Sequence, residues 1–348
     1  MEPAPSDARS RAVRPTMKDV AARAGVAFKT VSRVVNGEPG VSDATRDAVQ
    51  AAVEELGFRR NASAAGLRQG QTASIALVIE DIAEPIQSAI ARSVERSALA
   101  RNTLLFMASS SDDDVREREL VLSMCARPVD GLILLPSEAD HNYLRSEIEA
   151  GIPAVLIDRP ATGVATDTVL SDNREGARVA VDHLLAHGHR RIAIVGDEHN
   201  VFTSEERFRG YRDALASAGI RLDPSLEIRD SQRPEEIREQ LAAARAGEDP
   251  PTAIFTVNSL NTLATLRGIG TAHGLAHVAF DDLDLFDLLQ PAVTVVAQDA
   301  VEIGRVAAEM LFERIDGASP EPRTAIIPTR LVIRGSGEIP FTATSGAA

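Results

Sequence analysis

The sequence predicts a small all-α helix-turn-helix headpiece followed by an α/β core of two doubly wound lobes. Two observations indicate this fold class. Two short helical patterns meet at Gly25, and from about residue 72 onward apolar runs alternate with amphipathic helices. Such alternation is typical of βαβ units, whose parallel sheets are covered by helices on both faces. Since the apolar runs are too many for one ordinary open sheet, we expect two lobes.

The helical patterns around Gly25 have the features of a helix-turn-helix that reads DNA. The second helix is polar and basic, with Lys29, Thr30, Ser32, Arg33 and Asn36 placed around Val31, Val34 and Val35. A helix of this kind is the one that enters the major groove. Thr16 and Ser42 are candidate N-caps for the first and third helices, and Gly57 can end the third. Ala27 leaves the second helix without a side-chain cap, at a cost of about 1 kcal/mol.

Charge is distributed unevenly along the chain. The whole sequence has 37 Lys and Arg against 51 Asp and Glu, a net charge of −14. Residues 1–70, however, have 11 basic and 8 acidic side chains, and residues 9–36 have 7 basic and 1 acidic. A basic head on an acidic body favours phosphate contact at one end and repels DNA elsewhere. The clustering favours double-stranded DNA as a partner over the alternative of an ordinary helical hairpin.

Strand-like and helical segments alternate through the rest of the chain. Strands are predicted at residues 75–79, 103–107, 131–135, 154–157, 191–195, 253–257, 277–280 and 293–296. Helices are predicted between most of them, at residues 85–100, 113–126, 173–186, 204–218 and 301–315. Ligands of parallel sheets bind beyond the carboxyl ends of the strands. Two lobes that face each other across those ends would form a cleft for a small molecule.

Polar side chains that follow the predicted strands are the candidate ligand-binding set. Taken alone, each could equally be an N-cap or a loop residue, but their shared position at strand ends favours ligand contact for the group. The set comprises Glu84, Asp158, Asn173, Asn258 and Asp281, together with Arg207 near the start of a later helix.

Sequence motifs throughout the chain resemble the lactose/galactose-repressor (LacI/GalR) family of bacterial transcriptional regulators. In the headpiece they include Thr30-Val-Ser-Arg-Val-Val-Asn-Gly37, and in the core Asp158-Arg-Pro160, His187-Gly-His-Arg-Arg-Ile192 and Thr294-Val-Val-Ala-Gln298. The resemblance covers nearly the whole chain. It implies a homodimer with a periplasmic-binding-protein-like core, which binds a palindromic operator, usually as a repressor. It also implies a small-molecule effector, a sugar or related metabolite, in the cleft between the lobes.

The resemblance assigns roles to single residues of the headpiece and hinge. Phe28, Lys29 and Arg33 would read base edges in the major groove. Thr30, Ser32 and Asn36 would contact phosphates and fix the register on the duplex. Residues 61–67 match the hinge helix of the family, in which Asn61, Ala64 and Leu67 would contact DNA. Leu67 would wedge into the central minor-groove step.

The pattern and the resemblance together predict the domain boundaries. We expect disordered tails at residues 1–14 and 342–348, a helix-turn-helix domain at 15–60, a hinge helix or linker at 61–71 and a core at 72–341. One lobe of the core would take residues 72–169 and 299–328, and the other would take residues 172–296 and 331–341.

The candidate cleft departs from the family pattern in three places. Glu84-Pro85-Ile86 stands where the family usually has asparagine-proline-phenylalanine. The position that often holds a sugar-stacking aromatic falls near Ser231-Gln232, and Ser259 instead of an aspartate follows Asn258. Arg207 and Asp281 are retained. We therefore expect a polar pocket that is less suited to a bare pyranose stacked on an aromatic ring.

Other function classes have weaker support in the sequence. A solute-binding protein of a transport system, with no DNA role, would explain the cleft, but it would not explain the basic headpiece. From the polar N-terminal residues we also expect no secretory signal, and we expect no membrane span because no apolar run is long enough. Cys125 is the single cysteine, so no intrachain disulfide forms and a cytoplasmic location is expected, nucleoid-associated when DNA is bound.

An enzymatic role would need chemistry that the sequence does not display. A hydrolase or kinase would require a nucleophile, a phosphate-binding loop or a metal, and none is recognisable. His183, His187 and His189 have a metal-like spacing but no Cys or carboxylate partner nearby. The aspartates between Asp281 and Asp287 lack the EF-hand pattern. We expect no catalytic residues, no metal and no cofactor.

Overall fold

The computed structural model describes residues 15–58, 72–137, 140–160, 163–197, 201–229, 233–317 and 321–341. The chain divides into two compact units, Met1–Gly70 and Gln71–Ala348. The predicted tails at residues 1–14 and 342–348 lie outside the described residues, as does the whole predicted hinge segment 61–71 with its three candidate DNA contacts, Asn61, Ala64 and Leu67.

The N-terminal unit consists of three helices around one small apolar core. They are α1 (Met17–Ala24), α2 (Phe28–Val35) and α3 (Asp43–Leu56). Val20, Val31 and Val49, one from each helix, are fully buried at its centre. Thr16 and Asp19 form a capping box at the start of α1. The predicted three-helix arrangement is therefore confirmed.

The other helix ends of this unit also agree with the sequence prediction. Gly25 joins α1 to α2 with a φ of 66°, and Gly57 ends α3 with a φ of 61°. Both lie in the left-handed region, which glycine enters without steric cost. The Ser42 hydroxyl accepts a hydrogen bond from a backbone N–H at the start of α3. Ala27 is the N-cap of α2 and makes no side-chain cap hydrogen bond, as predicted.

The first sheet of the core has six parallel strands, in the order β11-β5-β4-β3-β1-β2. Its elements are β1 (Ser74–Ile79), α4 (Pro85–Ala100), β2 (Leu104–Ser109), α5 (Asp114–Cys125), β3 (Leu132–Leu134), α6 (Leu144–Glu149), β4 (Ala154–Ile157), β5 (Asp167–Ser171), α11 (Ala300–Ile315) and β11 (Thr324–Ile327). Every residue of β1, β3 and β4 is buried, because helices cover both faces of the sheet. We call this sheet and its helices the first lobe.

The second sheet also has six strands, in the order β12-β10-β9-β8-β6-β7. Only β12 runs antiparallel to its neighbour. The elements of this second lobe are α7 (Asn173–Ala186), β6 (Ile192–Val195), α8 (Phe202–Ser217), a 3₁₀ turn (Pro224–Leu226), β7 (Glu227–Ile228), α9 (Pro234–Arg245), β8 (Ala253–Thr256), α10 (Ser259–Ile269), β9 (Ala276–Phe280), β10 (Thr294–Ala297) and β12 (Arg330–Val332). None of the described helices is long and apolar enough to cross a membrane.

The chain passes between the two lobes three times. It leaves the first lobe after β5, returns between β10 and α11, and leaves again between β11 and β12. Ser171 and Gln298, at the first and second passages, are joined by a hydrogen bond between their side chains. Neither lobe is therefore a continuous stretch of sequence, and the passages lie close together.

Candidate DNA interface and candidate ligand cleft

The outer face of α2 presents most of the residues predicted to touch DNA. Phe28, Lys29 and Arg33 are exposed, and the Phe28 side chain keeps 44% of its surface accessible although it is apolar. Thr30 and Ser32 are half-buried, and Asn36, which caps the end of α2, is exposed. An exposed ring beside two cations suits base edges and phosphates better than it suits bulk water.

Weak polar contacts orient the side chains at the end of α2. Nε of Arg33 lies 3.9 Å from Oε2 of Glu38. Nδ2 of Asn36 donates to Oγ of Ser32 and to Oε1 of Glu38, each at 3.4 Å. Such exposed contacts are weak, so base or phosphate oxygens can replace them. Glu38 therefore orients Arg33 and Asn36 without locking them.

In the core unit, a cleft of about 1000 Å³ opens at the carboxyl ends of the two sheets. One wall follows β1, β2 and β4 of the first lobe, and the other follows β6, β8 and β9 of the second lobe, with α8. Five of the six predicted cleft residues line it, namely Glu84, Asp158, Arg207, Asn258 and Asp281. The sixth, Asn173, is buried at the start of α7 and is not among the lining residues.

Arg207, on α8, is fixed at the cleft by several partners and is only 3% exposed. Its Nε donates a 2.8 Å hydrogen bond to Oδ1 of Asn173, and Nη1 donates one of 2.6 Å to the carbonyl oxygen of Val257. The guanidinium carbon lies 3.8 Å from the Phe280 ring centroid, and Nη1 is 3.6 Å from Oδ2 of Asp281. Nη2 makes no hydrogen bond with any described residue, so it remains available to a ligand. Asn173 thus acts behind the cleft, by orienting Arg207.

Several cleft carboxyl groups bind protons more tightly than usual. Burial raises the pKa of Glu84 to about 7, and the neighbouring Asp281 carboxylate adds to the effect. Burial also raises the pKa of Asp281 itself. The pKa of Glu80 rises to about 8 for the same reason, although its Oε1 lies 2.5 Å from Nη2 of Arg159. Displaced pKa values of this kind cluster at binding and catalytic sites.

Asp158 and Asp281 occupy equivalent places in the two lobes. Asp158 follows β4, the third strand counted from edge strand β11, and Asp281 follows β9, the third strand counted from edge strand β12. Their φ angles are 69° and 70°, in the left-handed region that aspartate tolerates better than most residues. Oδ1 of Asp281 also accepts a 2.7 Å hydrogen bond from Nε2 of Gln298. The sequence placed both aspartates at strand ends but could not show this equivalence.

The cleft also has polar lining residues that the sequence did not single out, among them Asp112, Asp197, Arg233 and Gln298. Gln298 occurs in a motif that carries the family resemblance, so the signal was present but was not assigned to the cleft. Asp197 follows β6, and its Oδ2 accepts a 2.6 Å hydrogen bond from Nδ2 of Asn258. Its position after a strand was the signal that could have identified it.

The histidines at positions 183 to 189 hold the end of the core together. Nε2 of His183 contacts Oε1 of Glu338, and Nε2 of His189 donates a 2.7 Å hydrogen bond to the carbonyl oxygen of Ile339. The expectation that no carboxylate lies near these histidines is therefore wrong, because Glu338 is distant in sequence but adjacent in space. Among the described residues, no group of three His, Cys, Asp or Glu side chains could hold a metal ion.

A smaller cavity of about 430 Å³ lies at the amino ends of β6 and β8. Arg191 lines it, but its Nη1 is already paired with Oδ2 of Asp223 at 2.6 Å. Ligands of parallel sheets bind at the opposite, carboxyl ends of the strands. The larger cleft is therefore the candidate ligand site.

A helix-turn-helix unit on the same chain as a two-lobed α/β core defines a DNA-binding transcriptional regulator. The sequence profile of bacterial regulatory proteins of the lacI family matches residues 16–61, and that of the periplasmic binding protein-like domain matches residues 181–337. The HTH-type transcriptional regulator CelR of Thermobifida fusca is 34% identical over 93% of this chain and 98% of its own length. The chain belongs to the LacI family of bacterial regulatory proteins.

Solved structures agree with this assignment. A complex of the transcriptional regulator CelR with cellobiose is 31% identical, with a TM-score of 0.68 over 93% of this chain and all of that one. The Lac repressor dimer bound to operator and the anti-inducer ONPF has a TM-score of 0.81 over 93% of this chain and 99% of that one. At 24% identity, this second likeness shows the fold alone. The predicted fold class is confirmed, and the chain is a DNA-binding transcriptional regulator of this family rather than an enzyme.

Proposed function

We propose that the protein is a homodimeric repressor that binds a palindromic operator and is gated by a small polar effector in the cleft between its lobes. The observation that carries this proposal is the presence of two distinct surfaces on one chain. The exposed face of α2 suits DNA, and the cleft presents the free Nη2 of Arg207 to a ligand. An effector and an operator that bind the same chain at different sites can influence each other's affinity.

On DNA, we assign base reading to Phe28, Lys29 and Arg33, whose side chains are all exposed. We assign phosphate contacts to Thr30, Ser32 and Asn36, because short polar side chains near the groove edge position the helix without reading sequence. Asn61, Ala64 and Leu67 remain the predicted hinge contacts.

In the cleft, the effector contacts Glu84, Asp158, Arg207, Asn258 and Asp281, while Asn173 keeps Arg207 in place. A ligand that touches both walls changes the angle between the lobes. Its effect on operator binding is limited to the difference between its affinities for the two lobe arrangements.

An exposed apolar face on the first lobe supports the dimer. Edge strand β2 presents Leu104, Phe106 and Met107 to solvent, and the neighbouring helices add Leu99 and Val115. Unpaired edges and apolar patches of this kind are normally covered in a functional protein. The Lac repressor, which shares this fold, binds its operator as a dimer. We propose that the β2 face pairs with the β2 face of a second copy.

Phe106→Glu should convert the dimer to monomers. Phe106 is 47% exposed on β2, and burying a carboxylate in its place opposes association, by about 2 kcal/mol or more if the ring is central to the interface. Sedimentation equilibrium measures the change. Leu222→Glu, at another exposed leucine outside the β2 face, should leave the assembly unchanged. A Phe106→Glu protein that stays dimeric contradicts this interface.

Selection from random duplex DNA tests the operator. A symmetric dimer presents two α2 helices related by a two-fold axis, so the selected sequences should be palindromes with half-sites one helical turn, or a multiple of it, apart. Gel shifts with the protein's own promoter then check that such a site is bound. Enrichment of a non-palindromic sequence contradicts the symmetric dimer.

A further inference from the structure

The first-lobe wall of the cleft carries far more negative than positive charge. Among the described residues, five carboxyl groups, those of Glu80, Asp81, Glu84, Asp112 and Asp158, line this wall together with the guanidinium of Arg159. That guanidinium is already shared among three of them, at 2.5 Å from Glu80, 3.8 Å from Asp158 and 4.0 Å from Asp112. At neutral pH the raised pKa values leave Glu80 mainly protonated and Glu84 partly so, but the remaining carboxylates still outnumber the one guanidinium. This wall therefore repels an anionic ligand and attracts a cationic one.

Glu84 lies where carboxyl groups of both lobes come together. Its Oε2 accepts a 2.5 Å hydrogen bond from Nε2 of Gln87, but within the described residues it forms no ion pair. Asp158 and, from the opposite wall, Asp281 lie near enough for their charges to raise its pKa along with burial. A ligand cation at this point would relieve the repulsion among carboxylates of both lobes, and so would favour closure of the cleft.

The second-lobe wall differs, because its charges are balanced. Asp197 and Asp281 line it with Arg207 and Arg233. Nη2 of Arg207, which makes no hydrogen bond with any described residue, is one hydrogen-bond donor of this wall, and the contacts of Nε and Nη1 fix its position. A fixed donor beside a neutralised carboxylate suits hydroxyl groups, which both donate and accept. No aromatic ring is among the described lining residues, so recognition here depends on polar contacts.

We propose that the effector is a small polyhydroxylated amine, bound with its ammonium group between Glu84 and Asp158 and its hydroxyl groups toward Arg207 and Asp281. This inference rests on the proposed function, because it names the chemical class of the effector of the same cleft. It excludes sugar phosphates and sugar acids, whose charge the first-lobe wall repels.

Calorimetric titration of the full-length protein with matched sugars tests the charge preference. D-glucosamine, D-glucose and D-glucuronate share a pyranose ring and are cationic, neutral and anionic at neutral pH, and galactosamine and mannosamine extend the amine series. We expect at least one amino sugar to bind about tenfold more tightly than its neutral counterpart, and the acid not to bind. Equal or tighter binding of the neutral or acidic sugar overturns the inference, and so does a failure of all the amino sugars to bind.

Two variants locate the ammonium group. Glu84→Gln keeps the shape and removes the charge, so it should abolish the preference for the amine over the neutral sugar. Asp158→Asn should also weaken the preference for the amine, because it removes the second charge. Asparagine tolerates the left-handed backbone at that position, so the backbone should not change. Glu95→Gln, an exposed carboxylate on α4, is the matched control and should bind like the parent. Melting without ligand shows that each variant is folded. An unchanged preference in Glu84→Gln and Asp158→Asn contradicts the assignment.

Operator titration with and without each sugar separates this inference from the proposed function. If a neutral or acidic sugar binds at least as tightly as the matching amino sugar and alters operator affinity, the gated regulator stands and the charge assignment fails. If an amino sugar binds with the expected preference but leaves operator affinity unchanged, the charge assignment stands and the gating fails.

Discussion

Arg207→Ala should lower the free energy of unfolding of the core by about 3–5 kcal/mol. Removal of an exposed cation of the cleft should cause a smaller loss. The guanidinium is almost completely buried, and its loss leaves the buried carboxylate of Asp281 without its cation. The substitution also removes hydrogen bonds to Asn173 and Val257, together with the stacking on Phe280. Equilibrium urea unfolding of the full-length protein measures the change.

A double substitution shows how much of that loss comes from the unpaired charge. Asp281→Asn in the Arg207→Ala background should recover part of the stability, since asparagine is neutral and tolerates the φ of 70° at this position. Arg233→Ala is the control for a cleft cation outside the core, because its side chain is mostly exposed, and it should change stability little. Equal losses for Arg207→Ala and Arg233→Ala would show that Arg207 is not a structural anchor.

Arg33→Ala should relax operator discrimination at one base pair in each half-site, by about 1–3 kcal/mol per half-site. A guanidinium can donate two hydrogen bonds to guanine, and alanine cannot replace either. The side chain of Arg33 is exposed and only weakly engaged by Glu38, so it is available to DNA. Competition binding at fixed salt, with the operator and each of its single-base variants, measures the effect.

Thr30→Ala is the matched control for Arg33→Ala on the same helix. As a proposed phosphate contact, Thr30 should affect all sequences alike, so its replacement weakens binding without changing the preference among sites. The base-reading role of Arg33 is rejected if Arg33→Ala loses as much affinity for scrambled DNA as for the operator.

The headpiece could be predicted in detail because its structure is determined locally. The capping box at Thr16, the N-cap at Ser42 and the left-handed glycines at positions 25 and 57 each depend on a few neighbouring residues. The strands β4, β6 and β8 were predicted within a residue or two for a related reason, since they are short apolar runs buried on both faces.

Elements that depend on distant partners escaped prediction. β7 has two residues, and β11 and β12 are half-exposed segments that become strands only by pairing with β5 and β10. Strand propensity depends on such neighbours, so the sequence alone is a poor guide there. The sequence also could not define the role of Asn173 at the cleft. A residue that follows a strand end can contact the ligand directly, or it can support another residue that contacts the ligand. Only the 2.8 Å contact with Arg207 distinguishes the two roles.

The three passages between the lobes have a consequence for synthesis on the ribosome. Ile303, Ala307 and Leu311 of α11 complete the core of the first lobe, and β11 completes its sheet. These segments emerge after all of the second lobe except β12, whereas α1 to α3 emerge first and depend only on one another. In a nascent chain, the headpiece can therefore fold long before the first lobe, which carries the β2 face, can complete its fold. Premature termination within the core would release a protein with a folded headpiece and an unfinished first lobe.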